Sequence, residues 1–152
     1  MYWNIVRNNG IGGNGNAGIF ISGSRDVEVY ENAVYGPKDG IWALHSTRSP
    51  GLYNVNIHHN DISMDTEWGV FMKLQDESGD PTYDLASQVT VDNNIYRGFS
   101  TKSVWYWKTS RKNFSDWNAL GFDINGQLLP IGTPVLPAYA KAFVLSHYGQ
   151  RR

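Results

Sequence analysis

The chain of 152 residues contains no cysteine, so it has no disulfide framework, no thiolate metal site and no cysteine nucleophile. That absence assigns no compartment. The chain also has almost no net charge, with 13 Lys and Arg against 14 Asp and Glu. This excludes the polybasic footprint that dominates nucleic-acid binding. No apolar run is long enough for a transmembrane helix, and the opening residues, Met1 to Arg7, lack the basic-then-apolar order of a signal peptide. What the chain holds instead is glycine and aromatics: 16 Gly, 6 Trp and 9 Tyr. That mixture favours strands and tight turns over a helical bundle, in a length that suits one domain.

Internal repetition organises the sequence. Four segments end in Asn8, Asn32, Asn60 and Asn94, and each alternates polar and apolar residues before its Asn, as in Asp26-Val27-Glu28-Val29 and Asn54-Val55-Asn56-Ile57. Alternation of this kind marks a short strand with one buried face. A second strand follows eight to ten residues later, beginning at Gly18, Gly40, Gly69 and Ser103. The Asn-to-Asn spacing grows from 24 to 28 to 34 residues, and the growth falls in one connection, longest at residues 75–87. Fixed strands, fixed bends and one variable loop describe a solenoid. Coils longer than 20 residues with strands of about five predict an all-β right-handed parallel β-helix of about four coils over residues 1–109. Val27, Val29, Val55, Ile57, Val89, Val91, Ile19, Ile21, Ile41, Ala43, Val70, Met72 and Val104 should stack inside. The four Asn residues should form a hydrogen-bonded ladder at the bend.

The runs NVNIHHNDI followed by GVF, and DVEVYENAV followed by GIW, resemble the right-handed β-helix repeat of the pectate-lyase-like superfamily. The resemblance covers residues 2–109. It implies a carbohydrate-active protein: part of a polysaccharide lyase, glycosidase or epimerase acting on an acidic polysaccharide, or a non-catalytic glycan-binding or structural module. The fold alone does not choose among them.

Strand alternation points Phe20, Trp42, Phe71 and Trp105 outward in one column, with Lys73 and Trp107 two residues on. Aromatics in line, one per coil, can stack on sugar rings, so Phe20, Trp42, Phe71, Trp105 and Trp107 are the expected substrate-binding residues, bordered by loop 75–87. Among such rings a partly desolvated Lys73 could abstract a proton α to a uronate carboxyl. On the first strand set the outward positions are Asn4, Val6, Glu28, Tyr30, Asn56, His58, Thr90 and Asp92. Glu28, His58 and Asp92, on three successive coils, are candidate acid and base groups for glycosidic cleavage. An ordinary polar wall is the alternative. No cofactor is expected. Calcium through Asp76, Glu77, Asp80 and Asp84 is a minor alternative, because turn chemistry accounts for that loop. Gly10 to Gly15 reads as a loop or short bulge, since no helix or Lys-Ser/Thr follows it.

Residues 110–152 break the period and form the expected tail or cap. Ser115 is a candidate N-cap of one helical turn ending at Gly121. Phe114, Trp117 and Phe122 are expected against the outer wall. Pro137–Tyr148 suits a helix, with a strand at Ala142–Leu145 as the alternative. Met1 runs straight into repeat pattern, and solenoids need covered ends. Missing N-terminal coils or self-association at that end are therefore expected. The expected partner is a polysaccharide, with neither nucleic acid nor membrane. An extracellular or periplasmic setting follows if the chain belongs to a longer secreted protein.

Overall fold

The computed structural model describes residues 4–7, 10–12, 17–35, 38–64, 66–98, 100–102, 104–131 and 133. Each coil carries three strands. The first has β1 (Asn4–Arg7), β2 (Gly10–Gly12) and β3 (Ala17–Ser22); the second has β4 (Arg25–Tyr30), β5 (Ala33–Tyr35) and β6 (Asp39–His45). The third has β7 (Tyr53–His58), β8 (Asp61–Ser63) and β9 (Val70–Asp76). A single helical turn, α1 (Leu85–Gln88), precedes the fourth, which has β10 (Val89–Asp92), β11 (Ile95–Arg97) and β12 (Val104–Trp107). The tail adds β13 (Ser110–Lys112), α2 (Phe114–Ala119) and β14 (Gln127–Leu128).

Corresponding strands stack in parallel into three sheets, ordered β1-β4-β7-β10, β2-β5-β8-β11-β14 and β3-β6-β9-β12-β13, with only the last strand, β13, antiparallel to its neighbour β12. The chain is thus a parallel β-solenoid. Its four rungs are separated by three turns, so it makes about three turns where the repeat count predicted four coils. The second sheet, made of strands of two or three residues just after each bend, is an element the two-strand repeat did not anticipate. It includes Gly10–Gly12, expected to be loop or bulge.

The inward columns are as the alternation predicted on the first sheet: Val27, Val29, Val55, Ile57, Val89 and Val91 are all buried. The first coil departs in register. In backbone register Asn4 pairs with Val27 and Val6 with Val29, one place away from where the repeat aligns them. Arg7 faces Tyr30 and Gly10 faces Ala33, both 23 residues apart rather than the 24 that separate Asn8 from Asn32. Asn8 itself lies outside the described residues.

The asparagine ladder forms through Asn32, Asn60 and Asn94, and it continues into the tail. The Asn32 backbone N–H and side-chain amide both donate to Asn60 Oδ1, at 3.1 and 2.9 Å. Asn60 repeats this onto Asn94 Oδ1, both at 3.0 Å. Asn94 repeats it onto Asp123 Oδ1, at 3.1 and 2.9 Å. The residue before each Asn (Glu31, His59, Asn93) has φ between 53° and 58°, which makes the bend. Asp123 therefore takes a fourth ladder place from within the tail. Its Oδ2 accepts from Trp117 Nε1 at 3.0 Å and from the Tyr96 hydroxyl. Burial pushes the Asp123 carboxyl above its ordinary range, against the pull of these donors.

Glycine at the start of the second repeated strand is a packing requirement. A Cβ on Gly40 would stand 2.4 Å from the Phe71 carbonyl oxygen and 2.6 Å from Ile62 Cγ2. Gly40→Ala is expected to destabilise the protein by about 1–3 kcal/mol through overpacking. Denaturant unfolding reads this directly, and an unchanged midpoint would refute the close approach.

The tail closes the far end of the core. Trp117 and Phe122 are buried, and Phe114 packs 5.2 Å from the core residue Trp105, so these rings seal the open end and do not lie on an outer wall. The N-cap of α2 is Asn113, whose side chain accepts from Asp116 N, not Ser115. The expected helix at Pro137–Tyr148 lies outside the described residues, as does the alternative strand at Ala142–Leu145.

Candidate functional site

The third sheet presents the most distinctive surface. Pairing sets Phe20 beside Trp42, Trp42 beside Lys73, Lys73 beside Tyr106, and Tyr106 beside Arg111. This column of five crosses the whole sheet, roughly 19 Å at the usual strand spacing. It is also continuous in contact. Phe20 and Trp42 have centroids 4.8 Å apart, Lys73 Nζ lies 4.3 Å from the Trp42 ring and 5.7 Å from Tyr106, and the Arg111 guanidinium lies 5.7 Å from Tyr106. Arg111 reaches on to Trp68 at 5.2 Å, and Lys102 Nζ sits 4.5 Å from that same ring. Cations over aromatic faces are attracted by the ring quadrupole, so Trp42, Tyr106 and Trp68 each hold a charge in place.

Beside the column runs an open groove of about 480 Å³, lined among others by Lys38, Asp39, Trp68, Lys73, Tyr106 and Arg111. Lys73 is mostly covered and pairs with Asp39 Oδ2 at 3.3 Å. Lys102 pairs with Glu67. Arg111 has no carboxylate partner among the described residues. Lys38, Lys73, Lys102 and Arg111 outnumber Asp39 and Glu67 here, which makes this face cationic on a chain of net charge −1. Trp68 and Phe20 are about half exposed, at 53% and 49%.

Three expected members of this face, Phe71, Trp105 and Trp107, are elsewhere. Phe71 and Trp105 are both 1% exposed and pack on each other and on Tyr96 in the core. The register of β12 on β9 shifts between Val104 and Trp105. One extra residue reverses the in-and-out phase of everything after it. Trp105 turns inward opposite Met72, Tyr106 turns outward opposite Lys73, and Trp107 falls opposite the inward Leu74 against Phe122. Val104, expected inside, is only partly buried. Phe71 precedes the regular alternation of β9, opposite the close-packed Gly40, and turns into the corner. Phe20, Trp42 and Lys73 face outward as the alternation put them, but Lys73 stands opposite Trp42 in the column itself and not two residues on beside Trp107. Tyr106, Arg111, Trp68 and Asp39 were missed.

The acidic loop does not border the groove. Of the groove's lining only Gln75 belongs to residues 75–87. The rest folds towards residues 46–53, where Tyr83 stacks on His45 with centroids 3.4 Å apart and donates to the Leu52 carbonyl. Burial raises the Tyr83 phenol above its ordinary range, which keeps it a donor. Asp76 accepts from Ser78, Asp80 from Thr82, and Asp84 caps α1. Glu77 donates its backbone N–H to the His45 carbonyl.

On the first sheet, Glu28 and His58 do meet: His58 Nε2 lies 3.1 Å from Glu28 Oε1, and Tyr30 stacks on the imidazole at 5.2 Å. Asp92 lies opposite His58 in register, but both its oxygens hold Asn125, from the backbone N–H at 2.9 Å and the side-chain amide at 2.8 Å. Partial burial pushes Asp92 up, and the Asn125 bonds outweigh it, so its carboxyl sits below the usual range. Asp92 thus ties the tail to the last coil.

Set beside known proteins, the chain matches the family model of the right-handed beta helix region over residues 3–120. That span is most of the chain, and the protein belongs to this family, whose members include carbohydrate-active enzymes. No curated protein and no solved structure matches it.

Proposed function

We propose that the chain is a carbohydrate-active β-helix module that seats an acidic polysaccharide along the outer face of its third sheet. The observation that carries this reading is the unbroken column Phe20–Trp42–Lys73–Tyr106–Arg111. Aromatic faces stack on the C–H faces of sugar rings, and the interleaved cations neutralise carboxylates along the chain. Arg111 offers a planar guanidinium, steadied by two rings, whose N–H fork matches a carboxylate bidentately. A ligand of this kind sets the protein in an extracellular or periplasmic space.

Calorimetric titration with polyuronates and with neutral glycans tests it. Binding should be confined to the polyuronates and should weaken with salt. Arg111→Ala should weaken it by about tenfold, the effect of losing roughly 1.4 kcal/mol. Equal affinity for neutral glycans, or an unaltered Arg111→Ala variant, would count against the reading.

A second reading adds cleavage. Lys73 and Asp39 place a cation and a carboxylate side by side in the groove, within reach of one sugar ring. Lys73, after passing a proton to the adjoining Asp39 carboxylate, would take the proton α to a uronate carboxyl; the electron pair forms a C=C bond and expels the β-glycosidic oxygen, which takes its proton from Asp39, while Arg111 balances the charge developing on the carboxylate. Incubation with the same glycans, followed by ultraviolet absorbance for unsaturated products and by reducing-end assay, separates the two. Products absent from Lys73→Ala support cleavage; no product of either kind leaves binding alone.

A further inference from the structure

Adjacent residues in a strand point to opposite faces, so neighbouring side chains do not normally meet. The bend before each ladder Asn breaks that rule. His59 has φ 53°, which swings its side chain back beside His58, and the two Nδ1 atoms stand 2.8 Å apart. The same bend one coil later brings Asn93 Nδ2 to 3.2 Å from Asp92 Oδ2, so the convergence belongs to the repeat geometry. On the far side of the His58 ring, Glu28 Oε1 accepts from Nε2. That bond assigns the Nε2–H tautomer and leaves the Nδ1 lone pair pointing at His59. A carboxylate behind an imidazole, with the opposite nitrogen presented, is the usual backing of a metal-ligating histidine. Tyr30, stacked parallel on His58 with an interplanar angle of 5°, fixes the ring plane.

We propose that His58 Nδ1 and His59 Nδ1 form a surface site for one divalent transition-metal ion of the zinc or copper class, with Glu28 as the positioning carboxylate. Zinc–nitrogen bonds of about 2.0–2.1 Å at a tetrahedral angle set two ligand nitrogens roughly 3.3 Å apart. The present separation reaches this by a small side-chain rotation of the exposed His59. Imidazole nitrogen is a donor suited to zinc and copper and unlike the oxygen sets of calcium. Among the described residues no third His, Asp or Glu joins the pair, and Asp92 is held by Asn125. The protein thus supplies two nitrogens and water completes the shell, which makes the ion exchangeable. The site lies on the first sheet, away from the groove, and does not depend on the polysaccharide reading.

The test is isothermal titration of the tag-free full chain with zinc chloride, paired with electron paramagnetic resonance of the copper(II)-loaded chain. One ion per chain and nitrogen hyperfine structure from two imidazoles are expected. His59→Ala should weaken binding at least about tenfold, and Glu28→Gln should weaken it about 10- to 100-fold, the usual cost of losing a backing carboxylate. His147→Ala, outside the described residues, should leave it unchanged. His59 is exposed, so its variant should fold normally, as circular dichroism will establish. No zinc binding at 100-fold excess over protein, unchanged binding in His59→Ala, or loss in His147→Ala would each overturn the proposal.

Discussion

Asp123→Ala is expected to lower the unfolding free energy by at least about 3 kcal/mol, because it strands several buried donors at once. Four donors converge on this carboxylate: Asn94 N and Nδ2 on Oδ1, Trp117 Nε1 and the Tyr96 hydroxyl on Oδ2. Each buried donor left unsatisfied costs about 1–3 kcal/mol, and alanine adds a small void. Asp123→Asn separates the two oxygens' roles. The amide oxygen can still serve Asn94, but an NH₂ would then face Trp117 Nε1–H. That variant should fall between wild type and alanine. The carboxyl is raised by burial above its usual value of 3.8, so the folded state holds its proton more tightly than the unfolded chain. The part of stability owed to Asp123 is therefore greatest below pH 3.8 and declines as pH rises through the folded value. Denaturant midpoints of wild type and Asp123→Asn across that pH range measure it. An alanine variant within 1 kcal/mol of wild type would show that the tail does not depend on this residue.

The second large effect separates two neighbouring residues. Trp105→Ala should cost about 3–5 kcal/mol, the range for emptying a large aromatic site in a packed core. Tyr106→Ala should leave the unfolding midpoint nearly unchanged and weaken polyuronate binding about tenfold. The distinction rests on the one-residue shift between Val104 and Trp105. If Tyr106→Ala unfolds the protein while Trp105→Ala folds and fails to bind, the phase of β12 is the reverse of that described. Calorimetry for stability and titration for binding, run on both variants, decide it.

That shift also shows what was legible in the sequence. On the first sheet, polar and apolar residues alternate cleanly, so Val27, Val29, Val55 and Ile57 announce their own direction. Trp105-Tyr106-Trp107 does not: three aromatics in a row fit either phase equally well, and only the strand beside them decides. The second sheet escaped because a three-residue strand sends just one apolar side chain inward, as Ile62 does, and one residue has no period. Asp123 escaped because it stands in the ladder as a carboxylate, after a helix, where the pattern called for an amide after a strand. Trp42 and Lys73 were readable from alternation. Arg111 and Trp68 reach the same face from a hairpin and a corner, which alternation cannot describe. Glu28 and His58 were readable as neighbours on successive coils, but the turn of His59 onto His58 needs a backbone angle that no residue pattern carries.

The ladder's chemistry has a direction. Asn32, Asn60 and Asn94 each pass their N–H groups onward to the next oxygen, and the Asp123 carboxylate only receives them. A carboxylate has no hydrogen to hand on, so in this sense the stack has an end and cannot be continued past it by another amide. Any lengthening of the solenoid therefore has to enter upstream of that stop, with the terminal residue carried along unchanged.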